Sequence, residues 1–267
     1  MNFSRTGIAF DRAGPIGATP IVLLHAGVTD RRMWNNLWPD LTTRDVVRLD
    51  LRGHGDSVDR PAGLLSPVED VLDVLAATGI ERCHLVGVSF GAGVAVEVAL
   101  SHPETVASLF LVAPGGSLIT HETAQLETFD NAETAALEAD DIDAAVEVNL
   151  AWWVDGPHRE AGSTAPEIRS AVERMQRRAF ELTSDWNEVD EDELDPPAWA
   201  RLGDIEAPTL VLLGALDMDA IISSGKEVAS RVRNARLVEW PDVAHLPPLE
   251  KPADFYRLLD GWLSEVD

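Results

Sequence analysis

The chain has little of what proteins use to bind nucleic acids, form disulfides or cross membranes. Its 267 residues include 21 basic and 46 acidic side chains, a formal net charge of −25. Phosphate backbones and anionic membranes repel so acidic a protein, so we expect neither as a partner. A single cysteine, Cys83, excludes an internal disulfide. No apolar run reaches the roughly 20 residues that span a bilayer, and Met1–Thr6 lacks the charged-then-apolar pattern of a signal peptide. These absences predict a cytoplasmic protein. We also expect a monomer or homodimer and a small-molecule substrate.

The chain also lacks the short motifs that hold metals and phosphates. It contains no His-Glu-x-x-His pair, no pair of cysteines, no EF-hand spacing and no glycine-rich phosphate loop. We therefore expect chemistry without a metal or another cofactor.

Short apolar runs recur between residues 21 and 112 and again between 209 and 240, and helical patterns lie between successive runs. Such runs, rich in β-branched residues, are typical of strands buried on both faces. One intervening helix is predicted by Ser66 as N-cap, Pro67 at the first position, Glu69 completing a capping box and Gly79 as the stop. The alternation predicts an α/β fold with a mostly parallel sheet and helices on both faces. The predicted strands are Ile21–Leu24, Val46–Asp50, Cys83–Val88, Leu109–Val112, Thr209–Leu213 and Arg236–Trp240.

One segment departs from this alternation of strands and helices. Residues 117–206 show helical patterning without a clear strand, and they hold half of the acidic residues. A helical, aromatic insertion between two sheet strands predicts a lid over a pocket. The chain would then divide into a core domain over 1–116 and 207–267 and a lid over 117–206. Four of the eight tryptophans lie in the lid segment: Trp152, Trp153, Trp186 and Trp199.

The most informative stretch is the predicted strand Cys83–Val88 followed by the apolar helix pattern Phe90–Leu100. Ser89 lies at the break, with Gly87 and Gly91 two residues to either side. This is a G-x-S-x-G nucleophile elbow, in which a tight turn holds the serine in a strained conformation and exposes its hydroxyl. The N–H groups that open the following helix are free to stabilise negative charge. The pattern therefore predicts that Ser89 is a nucleophile.

A serine hydroxyl needs a base, and the base needs an acid to orient it. His245 follows the predicted strand Arg236–Trp240, and so belongs to the same sheet edge as Ser89. Asp217 is the first acid after the strand that ends at Leu213, and Asp219 is the runner-up two residues on. The order serine, acid, histidine matches one of the three known chain orders of the triad.

Together these residues resemble the α/β-hydrolase superfamily, in its lid-bearing esterase and lactonase-like branch. The resemblance covers nearly the whole chain and implies the same fold. It also supports Asp217 as the acid and His245 as the base. The matching segments are His25-Ala26-Gly27 with Trp34, the Asp-x-Arg-Gly-x-Gly-x-Ser turn at Asp50–Ser57, Pro208–Asp217, Ala244–Pro247 and Glu250-Lys251-Pro252.

The resemblance also implies an oxyanion hole and a pocket. Its donors would be the N–H groups of Gly27 and Phe90, with Val28 as the alternative if the loop shifts by one residue. Ala26 stands where the family usually has a glycine. The residues expected to contact substrate are Val28, Trp152, Trp153 and Leu246.

The predicted function is cleavage of a small-molecule carboxylic ester through an acyl-enzyme on Ser89. Serine at this position, where some relatives carry aspartate, argues against dehalogenase and epoxide-hydrolase chemistry. Alternatives that keep the triad are an enol-lactonase, a carbon–carbon bond hydrolase and a perhydrolase. A non-catalytic relative that binds a small molecule is the alternative of a different class.

Overall fold

A computed structural model describes residues 1–160, 162–186 and 189–267. It contains an eight-stranded sheet in the order β1-β2-β4-β3-β5-β6-β7-β8. The strands from β4 to β8 along this order are parallel, whereas β2 pairs antiparallel with both β1 and β4. The strands are β1 (Asn2–Phe3), β2 (Ala9–Ala13), β3 (Ile21–Leu24), β4 (Val46–Leu49), β5 (Cys83–Val88), β6 (Val106–Val112), β7 (Thr209–Gly214) and β8 (Ala235–Trp240).

Helices connect these strands and cover the sheet. The α-helices are α1 (Trp38–Leu41), α2 (Pro67–Thr78), α3 (Phe90–Ser101), α4 (Ala124–Glu138), α5 (Ile142–Asn149), α6 (Pro166–Thr183), α7 (Asp219–Arg231), α8 (Pro247–Glu250) and α9 (Pro252–Val266). A π-helical turn, Leu150–Asp155, continues directly from α5. Short 3-10 turns are Arg31–Trp34, Pro103–Thr105, Gly116–Leu118 and Ala198–Asp204.

The sheet separates two apolar clusters because successive side chains of a strand point to opposite faces. In β3, Val22 and Leu24 join the cluster that contains α2 and α3. Ile21 and Leu23 join the opposite cluster, which contains α9 and also Phe129 of α4. All four β3 side chains are fully buried, as expected for a central strand of a parallel sheet.

The predicted α/β architecture is confirmed, with all six predicted strands present. Two short strands, β1 and β2, were not predicted. The predicted capping box at α2 is wrong: Ser66 makes no cap hydrogen bond, and its hydroxyl instead donates to Asp192 at 3.1 Å. The predicted stop is correct, because Gly79 ends α2 with φ +66°, a left-handed conformation that glycine adopts without strain.

Residues 113–208, here called the insertion, connect β6 to its parallel neighbour β7. Its described residues, up to 160, 162–186 and from 189, contribute no strand to the sheet; a single isolated bridge joins Glu191 to Leu65. Phe129, Val146 and Val172 of the insertion pack into the cluster shared with α9. Across the described ranges, no helix is long and apolar enough to cross a bilayer.

Candidate active site

Ser89 lies between β5 and α3 in a conformation that few residues tolerate. Its φ is +53° and its ψ is −115°. Backbone hydrogen bonds hold it there: its N–H donates to Val112 O at 2.8 Å, and its carbonyl accepts from Gly93 N at 3.1 Å. The side chain is half-buried. A positive φ at a serine costs free energy that the surrounding contacts must offset, a feature that concentrates at functional sites.

The glycines beside Ser89 are required by close backbone contacts. A Cβ at Gly87 would lie 2.3 Å from Gly91 O, and one at Gly91 would lie 2.5 Å from His25 O. Neither position accepts a larger residue without moving β5 or α3. The two glycines therefore allow the sharp turn and let the helix start against the loop after β3.

Asp217 and His245 meet at the same edge of the sheet. His245 Nδ1 lies 2.8 Å from Asp217 Oδ2, and both side chains are almost fully buried. Asp217 Oδ1 also accepts from Met218 N at 2.7 Å. Because the carboxylate accepts, the hydrogen-bond network assigns the proton to Nδ1 and leaves Nε2 as an acceptor.

The loops that carry the acid and the histidine are locked to each other. Leu216 N donates to Val243 O at 3.0 Å. A Cβ at Gly214 would lie 2.1 Å from Ala244 O, so only glycine lets the end of β7 approach the histidine loop. The runner-up acid, Asp219, lies elsewhere: it opens α7 and accepts from Thr123 Oγ1 at 2.6 Å.

Within the described residues, no hydrogen bond joins Ser89 Oγ to His245. Ser89 follows the carboxyl end of β5, Asp217 that of β7 and His245 that of β8, so the three side chains belong to one edge of the parallel sheet. Catalytic hydrogen bonds are often long without substrate and shorten when it binds.

Hydrogen bonds hold the Ala26–Gly27 peptide of the loop after β3 in place beside Phe90. Ala26 O accepts three hydrogen bonds: from His25 Nδ1 at 2.8 Å, from Thr29 N at 2.9 Å and from Thr29 Oγ1 at 3.0 Å. Because C=O and N–H of a trans peptide point in opposite directions, these bonds also fix the N–H of Gly27. Gly27 lies against Phe90, where an added Cβ would be 3.6 Å from Phe90 Cβ. Neither Gly27 N–H nor Phe90 N–H has a partner among the residues described.

Two neutral histidines support this loop. His25 Nε2 accepts from Leu51 N at 2.9 Å, and complete burial lowers the pKa of His25 to about 3. His54 Nε2 donates to Gly27 O at 2.9 Å, and burial lowers its pKa as well. Both rings therefore stay uncharged at neutral pH and hold backbone groups.

The turn at Asp50–Ser57 is held together by its own side chains. Asp50 is buried, forms an ion pair with Arg31 and accepts from Asp56 N at 2.8 Å; its burial raises its pKa to about 6. A Cβ at Gly55 would lie 2.2 Å from Asp50 Oδ2. Ser57 Oγ donates to Asp50 O at 2.7 Å. These contacts give the motif a bracing role beside the loop that follows β3.

The predicted substrate-contacting residues lie in two environments. Val28 and Leu246 are buried in the apolar cluster on the α9 face of the sheet. Trp152 and Trp153 are half-buried on the π-helical turn, packed against the same cluster. Trp153 contacts the histidine directly: its ring centroid is 4.6 Å from that of His245 and 5.0 Å from that of Phe129.

Sequence reasoning missed two charged residues beside His245. Glu250 Oε1 accepts from Ala244 N at 2.9 Å and from Leu246 N at 3.4 Å, so its carboxylate binds the backbone on both sides of the histidine. Arg159 of the insertion donates to Glu250 Oε2 at 2.7 Å. Glu250 stands in a motif that the sequence analysis recognised, whereas nothing near Arg159 in the sequence indicates its partner.

The sequence of this chain matches the family described as "Alpha/beta hydrolase family" over residues 21–258. The chain belongs to this family. The predicted resemblance and the predicted hydrolase class are confirmed at that level.

Individual relatives span nearly the whole chain. It is 26% identical to a protein named 3-oxoadipate enol-lactonase 1 from Acinetobacter baylyi, covering 95% of this chain and 91% of the relative. It is 29% identical to a protein named pimeloyl-[acyl-carrier protein] methyl ester esterase from Chromobacterium violaceum, covering 90% and 92%.

A solved structure, described as Est816, an N-acyl homoserine lactone degrading enzyme, superimposes with a TM-score of 0.73. It is 28% identical to this chain, and the match covers 96% of both chains. These relatives place the sheet and its connections in a fold shared by esterases and lactonases.

Proposed function

We propose that this protein hydrolyses a small-molecule carboxylic ester through an acyl-enzyme on Ser89, with His245 as base and Asp217 as acid. The supporting observation is the buried 2.8 Å contact between His245 Nδ1 and Asp217 Oδ2, at the edge where Ser89 is held at positive φ. A carboxylate on Nδ1 keeps Nε2 available to take the serine proton. The same carboxylate stabilises the imidazolium that then forms.

In the proposed first half-reaction, Ser89 Oγ attacks the carbonyl carbon while its proton moves to His245 Nε2. The carbonyl oxygen becomes an oxyanion between the N–H groups of Gly27 and Phe90. One such donor contributes about 3–4 kcal/mol in measured enzymes. Collapse of the tetrahedral intermediate breaks the carbon–oxygen bond, and His245 returns the proton to the departing alkoxide. Water then attacks the acyl-enzyme by the same route, which releases the acid and restores Ser89.

We further propose that residues 117–206 form a lid on the core domain of 1–116 and 207–267. The Trp153 ring of this segment contacts the His245 ring, and Phe129 packs against Trp153. These contacts support a wall built from the lid. Val28, Trp152, Trp153 and Leu246 would then line the acyl or alcohol pocket, and their apolar surfaces favour an apolar substrate group.

A lactone is the second candidate substrate. It is supported by the 26% identity, over nearly the full chain, to a protein named as an enol-lactonase. The triad chemistry is unchanged, but the leaving alkoxide stays attached to the acyl group. Carbon–carbon bond cleavage is a third reaction open to the same residues.

Two measurements test the proposal. A fluorophosphonate probe should label the wild-type protein at Ser89, and labelling should disappear in Ser89→Ala. Hydrolysis rates on p-nitrophenyl esters of graded chain length, on lactones and on vinylogous diketones should then rank the substrate classes. If the folded wild-type protein resists the probe and cleaves none of these compounds, it is not a serine hydrolase.

A further inference from the structure

One short stretch of the insertion, Trp153–Arg159, contacts both loops that carry the acid and the base. At its start, the Trp153 ring lies against the His245 ring. In its middle, Gly156 has φ +85°, and a Cβ there would lie 2.7 Å from Leu216 O and 2.9 Å from the side chain of Ala244. The stretch therefore passes close to Leu216 and Ala244, the residues that directly precede Asp217 and His245.

Arg159, at the end of the stretch, forms an ion pair with Glu250, which holds the histidine loop. Arg159 donates to Glu250 Oε2 and to Asp242 O, both at 2.7 Å. The Glu250 side chain is only 8% exposed, so this ion pair is poorly screened by solvent. Its other oxygen accepts from the N–H groups flanking His245, so Arg159 acts on the same carboxylate that holds the histidine backbone.

The stretch is itself anchored at its base. Gly156 N donates to Ala151 O at 3.1 Å and closes the π-helical turn. The buried Asp155 carboxylate accepts from Gly162 N at 2.6 Å and from Arg169 Nε at 3.0 Å. A π-turn is rare and is often found at functional sites. These bonds keep Trp153 and Arg159 at fixed positions relative to α6.

We propose that Trp153–Arg159 is a clamp that positions His245, with Arg159 and Glu250 as positioning residues. This inference rests on the proposed function, in which His245 is the base. The insertion would then do more than cover a pocket, because its docking completes the orientation of the catalytic imidazole. Small displacements of a reacting group lower rates steeply, about 100-fold for 1 Å in sensitive cases.

The test compares Arg159→Gln with Arg201→Gln. Arg201 is a matched control, since it also lies in the insertion, pairs with a carboxylate at Asp204 and donates to a main-chain oxygen of Leu100. Arg159→Gln should lower kcat on a small ester by about tenfold or more with little change in KM. Arg159→Lys should recover part of the loss, and Arg201→Gln should leave kcat unchanged. An equal fall in both glutamine variants, or a fall confined to KM, overturns the clamp.

A second measurement does not depend on activity. Amide hydrogen exchange at Ala244 and Leu246 should accelerate in Arg159→Gln and in Glu250→Gln, but not in Arg201→Gln. Unchanged exchange in Arg159→Gln would refute the clamp even if Ser89 is reactive. Conversely, accelerated exchange in a protein that the fluorophosphonate probe leaves unlabelled would support the clamp and refute the proposed function.

A separate cleft, of about 300 Å³, carries positive charge on this otherwise acidic protein. It lies between α6 and the loops that follow β3 and β4. Four guanidinium groups and two carboxylates line it. The charged lining residues are Arg32, Arg174, Arg177, Arg178, Asp56 and Glu181.

The arrangement of these arginines on α6 is unfavourable without a ligand. Arg174 and Arg178 are exposed and four residues apart on one helix face, where like charges repel. In the part of the chain that the structure describes, neither forms an ion pair, although acidic residues outnumber basic ones about two to one. Arg32 and Arg177 do pair, with Asp30 and Asp143 respectively.

We infer that this cleft binds a phosphate monoester. Such a group carries a charge of about −1.5 to −2 at pH 7, and its oxygens suit the planar fork of arginine. Arg174 and Arg178 are the two guanidinium groups of the lining that form no ion pair among the described residues, and they would bind it. The inference stands on charge and cavity alone and does not depend on the reaction at Ser89.

Titration with inorganic phosphate at low ionic strength tests the inference, with the arginine Nε–H signals as the NMR readout. Saturable shifts at Arg174 and Arg178 should appear, and the double change Arg174→Gln/Arg178→Gln should weaken binding at least tenfold. Arg233→Gln is the control, because Arg233 is also exposed and has no ion pair in the described ranges. Shifts that do not saturate, equal weakening by Arg233→Gln, or equally tight binding of succinate would each overturn the proposal.

Discussion

The core side and the insertion side of the candidate site are built by different physical means. On the core side, backbone geometry sets position: Ser89 is held at positive φ, and added Cβ atoms at Gly91 or Gly214 would lie within 2.5 Å of a carbonyl oxygen. On the insertion side, Trp153 is positioned by ring packing, and Arg159 by an ion pair and a hydrogen bond to Asp242 O. The backbone of the insertion comes comparably close at Gly156. Backbone constraints tolerate little change, whereas side-chain contacts can be replaced one at a time. The rate should therefore be most sensitive to core substitutions. Substitutions in the insertion should change selectivity and, at Arg159, lower the rate by a smaller factor.

The largest effect should come from Ser89, the proposed nucleophile. Ser89→Ala should lower kcat by about 10⁴-fold or more without unfolding the protein, because nucleophile, base and acid act as one unit. His245→Ala should cost a similar factor, and the double variant little more than either single one. Steady-state kinetics with circular dichroism as a folding control check this. Losses that multiply in the double variant would mean that the two residues do not act together.

The next effect separates the two acids that follow β7. Asp217→Asn should lower kcat by about 10³- to 10⁴-fold, since a neutral amide favours the wrong imidazole tautomer. Asp219→Asn should cost less than tenfold, because Asp219 bonds to Thr123 rather than to His245. Kinetics of the two variants on one ester decide the order, and the opposite ranking would move the catalytic acid to Asp219.

A smaller effect concerns the stability of the core loop. The pKa of His25 is about 3 in the folded protein and near 6.5 when unfolded, so between these values the unfolded chain binds more protons. The contribution of neutral His25 to the free energy of unfolding is complete above about pH 6.5. It declines as the pH falls and is smaller by about 2 kcal/mol at pH 5. Urea unfolding measures this at pH 7 and pH 5. Between these two pH values, the free energy of unfolding should fall by about 2 kcal/mol less in His25→Gln than in the wild-type protein. The raised pKa of Asp50 acts in the opposite direction but is common to both proteins. Equal pH dependence in the two proteins would contradict the assignment.

The smallest effect should appear on the insertion side, as altered selectivity. Alanine at Trp152 or Trp153 should change the ratio of kcat/KM between short and long acyl esters by about tenfold for at least one of them. The scale follows from the 1–3 kcal/mol that a small change in an apolar pocket contributes. Rates on a chain-length series measure it. If all esters lose activity equally and Tm falls, the tryptophans only fill the core and the two sides do not differ as described.

Much of the core could be predicted from sequence because its signals are local. The strand Cys83–Val88, the glycines around Ser89 and the left-handed stop at Gly79 each lie within a few residues of the feature they specify. β1 has only two residues, and the five residues of β2 (Ala9–Ala13) include two charged residues and two alanines instead of an apolar run, so neither gives a strand pattern. Ser66 fits a capping box by sequence but bonds to Asp192, far along the chain.

In the candidate site, too, the features with local sequence signals could be predicted, whereas contacts between distant residues could not. Which residues stand at the ends of the strands could be predicted, because parallel strands place their carboxyl ends at one edge. The contacts of Arg159 could not, since its partner Glu250 is 91 residues away and no spacing rule connects them. The three catalytic roles themselves remain predictions that the experiments above address.

The contact between Trp153 and His245 has an optical consequence. With ring centroids 4.6 Å apart, the imidazole lies within quenching distance of the excited indole. We therefore expect the tryptophan fluorescence that is lost in Trp153→Phe to rise when a ligand separates the two rings. The protein would then report occupation of its candidate site without an added label.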